Sequence, residues 1–115
     1  MEKTMAKATP KICNQQLFCY PDPQPVCAVD SPAWFIWLVT ATAFRYFSGQ
    51  RRDVYDGNGP LFEPVSFRKE RRRQGWLWYA YRRVYGVLHK RYVGKSEGLT
   101  VAKLEETAVL LNEIW

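Results

Sequence analysis

The sequence predicts an α+β fold, in which a small antiparallel sheet of three to four strands packs against a short N-terminal helix and a C-terminal amphipathic helix. Three observations carry this prediction. An apolar run at 33–44 follows a helix-capping serine, two β-prone segments flank Tyr85-Gly86, and apolar side chains near the end recur at helical spacing. The 115 residues are enough for one small domain.

Residues 1–29 are predicted to form an extended or partly disordered tail, and residues 30–115 to form the domain. Four prolines interrupt any helix in the tail: Pro10, Pro21, Pro23 and Pro25. The three cysteines also lie there without a C-x-x-C pair, and the one histidine is distant in sequence. We therefore expect reduced thiols, no disulfide framework, no metal site and no cofactor.

Ser31 and Pro32 begin the first predicted helix, at 32–41. The serine hydroxyl is a good N-cap, and proline suits the first helical position because its missing N–H would be unpaired there. The residues at 34–38 are apolar on nearly every side, so we expect this helix to be largely buried. The apolar run is about twelve residues long and a membrane span needs about 20, so no membrane segment is predicted.

The segment "FRYF" at 44–47 has the aromatic content of a strand. A loop rich in Gly, Asp, Asn and Pro follows at 48–64. A second strand is predicted at 65–73, with Val65 and Phe67 on one face, before Gln74-Gly75 turns the chain.

Residues 76–84 and 87–93 are predicted to pair as a hairpin around Tyr85-Gly86, with Gly86 at positive φ. The turn sets the register, which places Val84 opposite Val87, Arg82 opposite His89, Ala80 opposite Arg91, Trp78 opposite Val93, Arg83 opposite Leu88, Tyr81 opposite Lys90 and Tyr79 opposite Tyr92. One face of the hairpin should meet the C-terminal helix: Trp76, Trp78, Ala80, Val84, Val87 and Val93. The other face carries Leu77, Tyr79, Tyr81, Arg83, Lys90 and Tyr92.

Thr100 is the expected N-cap of the last helix, with Leu99 and Leu104 packed together across it. The apolar stripe of this helix consists of Val101, Leu104, Ala108, Leu111 and Trp115. The polar side consists of Lys103, Glu105, Glu106, Asn112 and Glu113.

The positive charge is concentrated in residues 68–95, which carry ten basic side chains and one acidic side chain, Glu70. Such a block favours an anionic partner. Combined with tyrosines on one hairpin face, it predicts a nucleic-acid-binding surface made of Arg68, Arg71, Arg72, Arg73, Tyr79, Tyr81, Arg83, Lys90, Tyr92 and Lys95. The alternative is that both sheet faces are structural, with the N-terminal helix covering the second.

No arrangement of residues predicts catalysis. His89 has no acidic residue near it in sequence, no phosphate-cradling G-x-x-x-x-G-K-[ST] motif occurs, and "DVYDGNG" at 53–59 lacks the spacing of a calcium loop. We therefore expect a protein that is not an enzyme.

Two segments, "SPAWFIWLVTATAFRYF" and "SFRKERRRQGWLWYAYRRVYGVLHKRYVGKSEGLTVAKLE", resemble the small N-terminal domain of MalT-like, LuxR-family ATP-dependent transcriptional regulators of bacteria and its stand-alone versions. The resemblance covers about residues 30–111. The pattern is similar, more loosely, to the three-stranded arm-binding domains of tyrosine integrases and to plant ethylene-response factors. Those folds imply a sheet that lies in the major groove of DNA with a helix packed behind it.

The leading hypothesis is thus a cytoplasmic, non-enzymatic DNA-binding module of transcription regulation or of a mobile genetic element, with duplex DNA as its partner. Two alternatives stay open. One is a protein-interaction adaptor, and the other is a binder of RNA or single strands that stacks bases on Tyr79, Tyr81 and Tyr92.

Overall fold

The structure, a computed structural model, describes residues 9–47, 64–84 and 86–112. Within these ranges the strands are β1 (Lys11–Cys13), β2 (Gln16–Phe18), β3 (Cys27–Ala28), β4 (Ala43–Tyr46), β5 (Val65–Arg72), β6 (Gly75–Val84) and β7 (Val87–Gly94). Helix α1 (Pro32–Thr40) lies between β3 and β4, and helix α2 (Val101–Asn112) follows a short 3-10 helix at Ser96–Gly98.

The strands form one sheet in the order β3-β2-β1-β4-β5-β6-β7. Neighbouring strands are antiparallel except β1 and β4, which are parallel. The predicted α+β class is confirmed, and the bounds predicted for β4 to β7 agree to within one residue. The sheet is larger than the three to four strands predicted because β1, β2 and β3 extend it.

Strands β1 to β3 come from the segment for which the sequence predicts a tail. Residues 11–28 are extended, and their three strands pair within the sheet of the domain. Ile12 and Leu17 are register partners and both are 0% exposed. The prolines are compatible with this pairing because none of them occupies a strand. Residues 1–8 lie outside the described residues.

Helix α1 begins as predicted: the Ser31 hydroxyl accepts a hydrogen bond from the Trp34 backbone N–H at 3.3 Å, and Pro32 occupies the first turn. Trp34 and Leu38 are fully buried. The expectation that the helix is largely buried does not hold for its outer face, where Ile36 and Val39 are 72% and 71% exposed. One face of α1 packs on the sheet and the other remains apolar and accessible.

The β6–β7 hairpin has Gly86 at φ +81°, as predicted. The predicted register is confirmed for all pairs from Val84–Val87 to Tyr79–Tyr92. It shifts at the next pair, where Trp78 lies opposite Gly94 instead of Val93, because an irregularity interrupts the ladder between Trp78 and Tyr79.

Two hairpin residues that were expected to meet the C-terminal helix are instead exposed. Trp76 is 53% and Val87 57% exposed, and the two residues lie at opposite ends of the β6–β7 hairpin. The other four residues of that predicted face are buried: Trp78, Ala80, Val84 and Val93.

An aromatic cluster forms the centre of the core. Phe44 is 5.4 Å from Trp34 and 5.2 Å from Trp78, measured between ring centroids. Both indole N–H groups are paired: Trp34 Nε1 donates to the Leu99 carbonyl and Trp78 Nε1 to Ser96 Oγ, each at 2.8 Å. These two hydrogen bonds hold the segment that follows β7, at residues 96–99, against the core.

Helix α2 is capped by Thr100, whose hydroxyl accepts from the Lys103 backbone N–H at 3.2 Å. Leu104 and Ala108 are fully buried, as the predicted stripe requires. Asn112 was assigned to the polar side but is only 2% exposed, and its Nδ2 donates to the Ala108 carbonyl. The buried face of α2 is therefore wider than the predicted apolar stripe. Glu113, Trp115 and the loop at 48–63 lie outside the described residues.

Candidate nucleic-acid interface

The sheet has one covered face and one open face. One row of register partners faces the helices: Phe44, Phe67 and Ala80. Because side chains alternate along strands, the next row points the opposite way: Arg45, Ser66, Tyr81 and Lys90. Trp34 of α1 contacts Phe44, and the Tyr46 hydroxyl, two residues further along β4, donates to Glu105 of α2.

Both described helices therefore pack on the same side of the sheet. The alternative in which the N-terminal helix covers the second face is wrong, and Glu105, assigned to the solvent side of α2, contacts the sheet. We call the other surface the open face; no helix in the described part of the chain lies on it.

Tyrosines and cations interleave on the open face at β5, β6 and β7. Lys90 Nζ lies 4.5 Å from the ring centroid of Tyr79 and 5.5 Å from that of Tyr81. The guanidinium of Arg72 is 5.1 Å from the Tyr79 ring, and that of Arg68 is 6.0 Å from the Tyr81 ring. These are cation–π distances, so each ring lies beside a positive charge.

Tyr92 completes this cluster. Its ring packs edge to face on Tyr79 with centroids 5.6 Å apart, and its side chain is 56% exposed. An exposed ring held by another ring is a ready stacking surface for a base.

Glu70 lies among these cations. Its carboxylate accepts hydrogen bonds from the Tyr81 hydroxyl, from Arg72 Nη2 and, at 3.1 Å, from Lys90 Nζ. It orients the three side chains and neutralises part of their charge, so it limits the attraction of this surface for anions.

Seven of the ten residues predicted for binding lie together on the open face: Arg68, Arg72, Tyr79, Tyr81, Arg83, Lys90 and Tyr92. Arg71 lies on the helix side of β5, where its guanidinium is 5.6 Å from the Trp76 ring. Arg73 is in the turn between β5 and β6, and Lys95 directly precedes the 3-10 helix. These three are exposed but are not part of the cluster.

The open face also includes residues that the sequence analysis did not identify. One row of register partners crosses six strands: Phe18, Lys11, Arg45, Ser66, Tyr81 and Lys90. The sequence could have identified Arg45 as an open-face residue, because it lies between the apolar residues Phe44 and Tyr46 in a predicted strand. It could not have identified Lys11, because the segment of Lys11 was interpreted as a tail.

Strands β4 to β7 and the β1–β2 end each line a concavity on the open face. One, of about 410 Å³, is lined by strands β4 to β7, including Arg45, Arg68, Tyr81 and Arg83. The other, of about 480 Å³, lies at the β1–β2 end and includes Lys11. Thr9 lines both, so the two concavities adjoin.

Burial shifts the pKa values of three ionisable groups outside this cluster, Lys69, Cys19 and Cys27. Burial lowers the pKa of Lys69, whose Nζ donates to the Leu38 and Val39 carbonyls of α1 at 2.7 and 3.1 Å. Burial raises the pKa of the Cys19 and Cys27 thiols, which makes them weaker nucleophiles at neutral pH. Within the described residues, no group of three or more His, Cys, Asp or Glu side chains could hold a metal ion.

No family model matches the sequence, and neither a curated protein nor a solved structure matches it significantly. The resemblance to the MalT-like and integrase arm-binding domains therefore stays a prediction. Of the helices in the described ranges, none combines the length and apolarity needed to cross a membrane.

Proposed function

We propose that the protein is a non-enzymatic, cytoplasmic DNA-binding module that contacts duplex DNA through the open face of its sheet. One observation carries the proposal: seven predicted binding residues converge on a sheet face that the helices leave uncovered. Phosphate contacts from the cations would supply affinity, and side chains near the middle of β6 would reach base edges.

The charge of the open face suits a phosphate backbone. Arg45, Arg68, Arg83 and Lys90 are all exposed and occupy four adjacent strands. Glu70 is the acidic side chain that faces them from β5. Since neutralised phosphates release counterions, binding should weaken steeply as salt concentration rises.

The width of the basic part of the sheet also suits duplex DNA. Strands β5 to β7 span about 10 Å, from two interstrand spacings of about 4.8 Å, and the major groove is about 12 Å wide. Strand β4 pairs only as far as Arg68 and β7 ends opposite Trp78, so the β5–β6 pair continues beyond both neighbours. A two-stranded ribbon of this kind fits the groove.

Helix α2 packs behind β6 and β7. This arrangement accords with what the resemblance to integrase arm-binding and ethylene-response domains implies, a sheet in the groove backed by a helix. A role in bacterial transcription regulation or in a mobile element follows from that resemblance as part of the proposal.

The experiment is a salt-titrated binding assay by fluorescence anisotropy on duplex DNA, single-stranded DNA and RNA of one sequence. Arg68→Gln and Arg83→Gln should each weaken duplex binding and reduce the slope of log affinity against log salt by about 0.9. Arg91→Gln is the matched control, because Arg91 is exposed but lies opposite Ala80 on the helix side. An equal effect from Arg91→Gln would refute the assignment of the face.

A second candidate, binding of single strands or RNA, is favoured by the length of the open face. The six-strand row spans about 24 Å, from five interstrand spacings, which exceeds the width of the groove. The aromatic rings of the open face, of which Tyr92 is 56% exposed, could stack successive bases. Tighter binding of either single strand than of the duplex would establish this function. Absence of salt-dependent binding to all three probes would leave the adaptor hypothesis.

A further inference from the structure

The concavity at the β1–β2 end has the size and lining of a small-ligand pocket. Its volume of about 480 Å³ falls within the range of about 300–1,000 Å³ that is usual for such sites. Apolar rings form one part of the lining: Phe18, Tyr20, Pro21 and Pro23. Polar groups form the rest: Thr9, Lys11, Cys13 and Asp22.

The pocket is continuous with the proposed DNA surface. Lys11 and Phe18 belong to the same row of register partners as Arg45 and Tyr81. Thr9 lines this pocket as well as the concavity beside Arg45. A strand that leaves the duplex at β5–β7 could reach the pocket by crossing β4 and β1, passing Arg45 and Lys11, which can hold its phosphates.

The chemistry of the lining fits a nucleobase. Phe18 and Tyr20 offer aromatic surfaces, and Tyr20 is 76% exposed, so a planar ring can reach it. Asp22 Oδ1 accepts from the Gln24 backbone N–H at 2.9 Å, which orients the carboxylate. Its second oxygen can accept a hydrogen bond from the exocyclic amino group of adenine or cytosine, a donor that thymine lacks.

We propose that this pocket binds an unpaired nucleobase next to the duplex, so that the protein recognises a junction between double-stranded and single-stranded DNA. The inference rests on the proposed function, because the duplex on β5–β7 directs the unpaired strand to the pocket. Lys11 contacts a phosphate, the aromatic side chains stack on the base, and Asp22 selects bases that carry an amino group.

The test compares one duplex as a blunt end, with a short dA overhang and with a short dT overhang, each overhang placed on the 3′ or the 5′ strand. The dA overhang on one of the two strands should tighten binding about tenfold, the effect expected for stacking of one base. The dT overhang should tighten it less.

Two variants isolate the pocket. Tyr20→Ala should remove most of the gain from the overhang and leave blunt-duplex affinity unchanged, whereas Tyr20→Phe should keep the gain. Asp22→Asn should abolish the preference for dA over dT. A 2-aminopurine in the overhang should be quenched on binding to the wild-type protein and less so in Tyr20→Ala, and thermal melting confirms that each variant is folded.

The outcomes separate the two proposals. Salt-dependent binding of the blunt duplex without a gain from any overhang would overturn the pocket assignment and keep the proposed function. A gain that survives Tyr20→Ala would also overturn it. Absence of binding to every duplex would refute the proposed function itself, and the inference would fall with it.

Discussion

Replacing Glu70 by glutamine removes the one acidic side chain between residues 68 and 95 with little change of shape. In the wild-type protein this carboxylate pairs with Lys90 at 3.1 Å and also with Arg72. If the open face binds DNA, the variant should bind more tightly, because a repulsive charge is lost and two cations become available to phosphates.

The size of the effect follows from the contact distance. A phosphate on the far side of Lys90 would lie about 6 Å from Glu70, where two unit charges repel by about 0.7 kcal/mol in water and about 3 kcal/mol at an effective dielectric of 20. The Glu70 and Lys90 side chains are 25% and 39% exposed, so the water value is the lower limit. It corresponds to duplex binding that is tighter by about threefold.

The assay is duplex binding at low and moderate salt. The slope of log affinity against log salt should steepen by about 0.9 for each cation that Glu70→Gln releases. Exposed ion pairs contribute about 0.2–1 kcal/mol each, so the protein should stay folded at assay temperature. Glu106→Gln is the control, because Glu106 is exposed on α2, on the helix side of the sheet. Equal effects from the two variants, or weaker binding by Glu70→Gln, would refute the reasoning.

Trp78→Ala should lower the free energy of unfolding by about 3–5 kcal/mol in urea denaturation, because Trp78 is 0% exposed. Tyr79→Ala should keep the fold and weaken duplex binding. If Trp78→Ala and Tyr79→Ala lowered the free energy of unfolding equally, the assignment of these residues to opposite faces would be contradicted. Ile12→Ala should lower the free energy of unfolding by about 2–5 kcal/mol, because Ile12 is 0% exposed. Deleting residues 1–28 should lower the melting temperature sharply, because the deletion removes Ile12 from the core. Gly86→Val should cost about 1–2 kcal/mol by the same measurement, since φ is +81°; an unchanged stability would show that the turn tolerates a side chain.

Local signals explain what could be predicted from the sequence. The β6–β7 hairpin depends on alternation and on a glycine in its turn, and the starts of α1 and α2 depend on Ser31 and Thr100; each of these acts within a few residues. Strands β1 to β3 have only two or three residues each, and the burial of Ile12 depends on partners in β2 and β4. A periodicity cannot be recognised over such short segments.

The sequence predicted many residues of the candidate site but not how far the site extends across the sheet. Alternation along β6 correctly separated Tyr79 and Tyr81 from Trp78. It could not show which sheet face α1 covers, because α1 is apolar on every side and has no preferred orientation in the sequence. Arg71 was predicted from the charge block alone, which does not distinguish the two faces of a strand, and it lies on the helix side.

The parallel pairing of β1 with β4 has a consequence for the order in which the protein folds. The hairpins β5–β6 and β6–β7 join neighbouring segments, whereas Ile12 reaches its partner Tyr46 only after the chain has passed through α1. Contacts of larger sequence separation carry a larger loop-closure entropy and tend to form later. We therefore expect the tyrosine-bearing hairpins to form early and the N-terminal strands to dock last, so that the concavity at the β1–β2 end is completed only at the end of folding.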